Sequence, residues 1–105
     1  MAGWLRRVLK RIHRLAARGS YGLTHKAQWE TENLGLAPDD VRDVLARLGV
    51  SDSAGRVASG TTGEWMYVFK PHVGAQVLYV KLIVRAGCVV VSFHEDEGGV
   101  YEEEP

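Results

Sequence analysis

Three side chains in the second half of the chain are of the right kinds to handle a phosphodiester: Lys70, Tyr79 and His94. A phenol and an imidazole can each give or take a proton, and a histidine, titrating near pH ~6.5, does so close to neutrality. An ammonium group stabilises charge that develops on phosphate oxygens. Each of the three lies in a run rich in β-branched and aromatic residues, namely Glu64–Lys70 (EWMYVFK), Gln76–Arg85 (QVLYVKLIVR) and Cys88–His94 (CVVVSFH). Such runs predict strands, and strand residues alternate between faces. In the middle run Leu78, Val80, Leu82 and Val84 share one face, opposite Tyr79, Lys81 and Arg85 with Val77 and Ile83. In the first run Trp65, Tyr67 and Phe69 alternate with Glu64, Met66, Val68 and Lys70; in the last, Val89, Val91 and Phe93 lie opposite Cys88, Val90, Ser92 and His94. With the apolar sets turned inward, the other face gathers Lys70, Tyr79, Lys81, Arg85, Ser92 and His94, with Glu64 as its sole acid. That composition repels metal cations and attracts phosphate. Cutting RNA without a metal needs a base for the 2′-hydroxyl, an acid for the departing 5′-oxygen and cations around the phosphorane. An ordinary solvated face of an antiparallel sheet shows the same alternation, so both readings stand on alternation alone.

The elements that must position these groups are readable around them. Ala86-Gly87 joins the last two runs tightly and predicts an antiparallel hairpin. Pro71 and Gly74 mark a longer turn after the first run, and residues around Arg56–Ser59 are candidates for a short edge strand. Three helices are expected before the strands. In the first, Leu5, Val8, Leu9, Ile12 and Leu15 form an apolar stripe opposite Arg7, Lys10, Arg11, Arg14 and Arg18, with Gly19 as the stop. The second runs from about Thr24, a capping residue, to Asn33, with Gly35 after it. The third opens on Pro38 with Asp39 and Asp40 at the positive end of its dipole, and carries Val41, Val44, Leu45 and Leu48. The expected class is α+β: three N-terminal helices on one face of a small antiparallel sheet of three to four strands. Residues 1–97 are expected to form one domain, followed by an acidic tail over 98–105 that stays outside it.

Composition removes several classes. One cysteine, Cys88, sits in an apolar run and cannot form an internal disulfide, which fits a buried thiol in the reducing cytoplasm. No apolar stretch approaches the roughly 18 residues of a membrane span, and basic residues interrupt the N-terminus where a secretory signal needs a continuous apolar segment. That terminus shares with mitochondrial presequences its arginines, its amphipathicity and the lack of an acid before Glu30, but it is read as a helix docked on its own domain. The formal charge of zero conceals a polarity: up to His94 there are thirteen basic residues against seven acidic ones, and Glu95 to Glu104 hold six acids and no base. A basic body suits a polyanionic partner. His13, His25 and His72 have no partners at metal-ligand spacing, and no Cys/His cluster offers the roughly four ligands of a zinc site. The run Glu95-Asp96-Glu97 lacks the glycine-containing loop of a calcium site. No phosphate loop, nucleophile elbow or dinucleotide fingerprint is present, so no cofactor is expected.

In matching order over roughly residues 24–96, the sequence resembles the MqsR-type toxins. Ala27–Leu36 (AQWETENLGL) and the helix to Leu48 match their helical half; W-x-x-V-F-K-P from Trp65, then LYVKLIV, then VVVSFHED match their sheet half. The resemblance implies a RelE-like fold and a ribonuclease toxin that cuts mRNA without a metal and is neutralised by a cognate antitoxin. It implies Tyr79 as the catalytic tyrosine, Lys70 in place of a family arginine before Pro71, and His94 in place of a family lysine. Met66 stands where the family has a glutamine, and Arg56 is the candidate replacement for a family lysine before the first strand. Tyr79 and His94 then form the proton-transfer pair, in either order, while Lys70, Lys81 and Arg56, with Arg85 on the same face, hold the phosphate. A non-catalytic RNA-binding module using the same face is the alternative reading.

Overall fold

The computed structural model describes residues 2–97. Helix α1 (Gly3–Ala17) buries Leu5, Leu9, Ile12, Leu15 and Ala16 on one stripe. It ends where Gly19 takes a φ of 74° and the amides of Gly19 and Ser20 donate to the Ala16 and Leu15 carbonyls, the left-handed stop that glycine permits. A short strand follows, β1 (Tyr21–Leu23), then α2 (His25–Asn33), whose first turn is capped by Thr24 Oγ1 accepting the Ala27 amide at 3.1 Å. Helix α3 (Pro38–Arg47) starts on its proline, and Asp40 accepts the Ala37 amide at 2.8 Å. The strands are β2 (Ser53–Ala58), β3 (Trp65–Phe69), β4 (His72–Val73), β5 (Gln76–Val84) and β6 (Cys88–Glu95).

The class is α+β as expected, but the architecture corrects the expectation in three respects. The sheet has six strands in the order β1-β6-β5-β3-β2, with β4 paired to the start of β5, and it is mixed: β1 runs parallel to β6. The helices do not all precede the strands, because β1 lies between α1 and α2. Nor do all three cover one face. The buried residues of α1 and α3 form one cluster with Phe69, Leu78, Val80, Leu82, Val90 and Phe93. Helix α2 adds only Ala27 to that cluster and otherwise continues the line of β1 along the edge of β6. Thr24 donates its amide to the Val90 carbonyl, and Glu30 Oε1 accepts the Phe93 amide at 2.9 Å. The α2 segment thereby satisfies backbone groups that an open edge would leave for another chain.

One irregularity decides which side chains face outward. Lys81 pairs with Ser92, but Leu82 pairs with Val90, so Val91 is an extra residue in β6. Strict alternation set Cys88 and Val90 with Ser92 and His94, opposite Phe93. The bulge instead puts Cys88, Val90 and Phe93 together in the core and turns Val89, Ser92 and His94 to the other face. Residues 98–105, expected to form an acidic tail, lie outside the described residues.

Candidate active site

The face of the sheet turned away from α1 and α3 can be read row by row from the strand register. Tyr79 of β5 lies directly across from His94 of β6, and their rings stack with centroids 5.1 Å apart and planes within 10°. The neighbouring row is Val68–Lys81–Ser92 across β3, β5 and β6. Lys81 Nζ stands 6.0 Å from the centre of the Tyr79 ring. Lys70, two residues beyond Val68 and so on the same face, reaches Asp96 Oδ1 at 3.6 Å. Asp96 shares the face of His94 by alternation and is tied down by its amide, which donates to the Val77 carbonyl at 2.8 Å. Tyr79, Lys81, His94 and Lys70 therefore occupy adjacent positions at one end of one face.

His94 has a defined orientation. Its Nδ1 lies 2.8 Å from the Glu95 carbonyl oxygen. A carbonyl can only accept, so Nδ1 carries the hydrogen of that bond, and in the neutral ring Nε2 holds the lone pair.

The other predicted residues are placed elsewhere. Arg56 pairs with Tyr67 and lies on the helix side of the sheet, its guanidinium between the rings of Trp4 (4.5 Å) and Trp65 (4.0 Å). Arg85 keeps the outer face, six residues along β5 from Tyr79, which is about 20 Å in a strand. There its guanidinium grips Glu64 through two bonds of 2.8 and 2.6 Å. That grip holds the Glu64 carboxyl well below its usual range, at about 2, and raises Arg85 further. Met66 is paired with Val57 and carries the β3 register one row beyond Val68, beside Ile83. Val68 and Ile83 are buried yet stand apart from the main core. The outer face thus divides into an apolar half around Met66, Val68 and Ile83 and a polar end around Tyr79. Cys88 is in the core, as the reading of a buried thiol expected, and burial pushes the thiol up to about 11.

One cation of this face was not anticipated. Lys26 of α2 reaches over the β6 edge to donate to Ser92 Oγ at 3.0 Å, held there by Glu30 Oε2 at 3.0 Å. The i,i+4 spacing of Lys26 and Glu30 was visible in the sequence, but nothing local said that α2 would lie along β6. Among the described residues no three His, Cys, Asp or Glu side chains gather as a metal-ligand set, and no helix is long and apolar enough to cross a membrane.

An α+β domain with a stacked tyrosine–histidine pair and lysines at one end of its outer sheet face is the class these observations define. The family model for the motility quorum-sensing regulator, toxin of MqsA, matches residues 6–95. The chain belongs to this family of antitoxin-paired toxins. No curated protein matches it.

Proposed function

We propose that this toxin is a metal-independent endoribonuclease that cuts mRNA in the cytoplasm, on the polar end of its outer sheet face, and that a cognate antitoxin restrains it. The observation that carries this reading is the stacked Tyr79–His94 pair, with Lys81 in the next row and Lys70 alongside.

The chemistry follows from the atoms available. His94 Nε2 takes the proton of the 2′-hydroxyl, and the 2′-oxygen attacks the neighbouring phosphorus. Lys70 and Lys81 stabilise the additional negative charge of the phosphorane. The bond from phosphorus to the 5′-oxygen then breaks, and the Tyr79 hydroxyl gives its proton to that oxygen. The products are a 2′,3′-cyclic phosphate and a free 5′-hydroxyl. Asp96 holds Lys70 before substrate arrives and yields it to the phosphate.

Expression in bacteria should arrest growth, and the purified protein should cut RNA in the presence of EDTA, leaving cyclic-phosphate ends. Lys70→Ala, Tyr79→Phe and His94→Ala should each slow cleavage by about 10²-fold or more, the scale of a lost proton-transfer or charge-stabilising group. Full cleavage by all three variants would overturn the assignment. RNA that binds with a steep salt dependence but stays intact would mark a binding module in place of an enzyme.

A further inference from the structure

Among the described residues, the densest run of like charge is on the solvent side of α1, on the far side of the sheet from Tyr79. The apolar stripe of the helix is buried in the core. Its other side displays Arg6, Arg7, Lys10, Arg11, Arg14 and Arg18, all exposed. Among the described residues none of the six forms an ion pair with an acid. The cations of the sheet face differ: Lys26 is paired with Glu30, Lys70 with Asp96 and Arg85 with Glu64. Electrostatic affinity for a polyanion grows with the number of phosphates that cations neutralise, so α1 has more to offer than the candidate cleavage site.

A second feature adjoins the first. Trp4, at the start of α1, stacks on Arg56, which stacks on Trp65, and Trp65 is 45% exposed. An exposed indole beside a row of guanidinium groups offers a base a stacking surface and its phosphates a cationic track, the combination that holds single strands. At the other margin Arg11 donates to the Arg85 carbonyl at 2.6 Å, where the β5–β6 hairpin turns. The basic side therefore reaches the rim of the sheet, from which a strand can pass to the outer face.

We infer that the solvent side of α1, with the Trp4–Arg56–Trp65 stack, is a docking surface for single-stranded RNA, distinct from the place where the chain is cut. The inference shares its ligand with the proposed function but not its chemistry. A membrane surface fits less well, because an interfacial helix sinks its apolar side into lipid and here that side is covered by α3 and the sheet. Five of the six cations are arginines, whose planar fork suits phosphate.

The test uses the full chain and a short 2′-O-methyl oligoribonucleotide, which has no free 2′-hydroxyl and cannot be cut by the proposed route. Binding is measured by fluorescence anisotropy across a salt series. The combined variant R6Q/R7Q/K10Q/R14Q should lower the steepness of log affinity against log salt by about 3, the sum for four lost phosphate contacts to a single strand. R6K/R7K/R14K, which keeps every charge, should retain the wild-type slope. Trp65→Ala should weaken binding by roughly tenfold at unchanged slope. An unchanged slope in the glutamine variant overturns the inference, as does binding to phosphatidylserine vesicles that depends on the same four residues while RNA binding does not. RNA held with the full slope but never cut, when a natural 2′-hydroxyl strand is supplied, would refute the nuclease and leave this surface standing.

Discussion

Lys26 shows how a single side chain draws its role from its neighbours. Its ammonium is held between Ser92 Oγ and Glu30, each at 3.0 Å, and Ser92 lies across from Lys81. On the proposed function, Lys26 joins Lys81 and Lys70 as a further cation beside the phosphate. Lys26→Ala should slow RNA cleavage by about tenfold, below the loss at Tyr79, because it removes one of several charge-stabilising groups; Lys26→Arg should recover most of it. Single-turnover rates would decide, and a Lys26→Ala rate equal to wild type would remove the residue from the site. Glu64 has a separate consequence. Its carboxyl is depressed to about 2 in the folded chain by the Arg85 guanidinium, against an ordinary 4.5. A depressed carboxyl contributes stability that is fully present above about 4.5 and is lost as the pH falls toward 2. The difference in melting temperature between wild type and Glu64→Gln should therefore be constant above pH ~5 and shrink through that acid window. A difference independent of pH would show that the pair does not hold in solution. The pair is exposed, and salt should weaken it.

At the scale of elements, the join between the parallel strand β1 and the β5–β6 hairpin leaves no room for a side chain at Gly87. Gly87 sits where a Cβ would come within 2.9 Å of the Ser20 carbonyl oxygen, and the next amide, of Cys88, donates to that same oxygen at 3.0 Å. Gly87→Ala must push β1 away from β6, and overpacking of this kind costs about 1–3 kcal/mol. Urea denaturation should show the loss, while Gly22→Ala, where a methyl meets nothing within 4 Å, should come close to wild type. The same region marks where the sequence stopped being legible. The helices carried their periodicity and stops openly, and Ala86-Gly87 announced its hairpin. Strands β1 and β4, of three and two residues, have no pattern of their own and exist only through their pairing. The bulge at Val91 was equally silent: four apolar residues in a row, Cys88 to Val91, fit either register, and only packing against the helices selects the one that buries Phe93. Alternation still predicted that Tyr79, Lys81, Ser92 and His94 share a face, but for β6 it erred on Cys88 and Val90, whose inward place depends on the extra residue. Arg56 was assigned to the phosphate by family position alone, and the strand pairing turns it to the helix side, against two indoles.

For the whole molecule, the pairing of residues 21–23 with 88–90 ties an early segment of the domain to its last strand. Contacts between such distant segments form late, since the intervening chain must first be ordered. Tyr79 has no partner ring until His94 has been added, and β1 has nothing to pair with until Cys88–Val90 exist. A nascent chain halted before Cys88 should remain open to proteolysis and leave surrounding mRNA uncut, as ribosome-bound stalled chains of graded length would show; protection appearing before that point would contradict it. If the protein is the nuclease proposed here, its cutting edge does not exist until synthesis has passed His94, and every shorter nascent chain is harmless to the message it is read from.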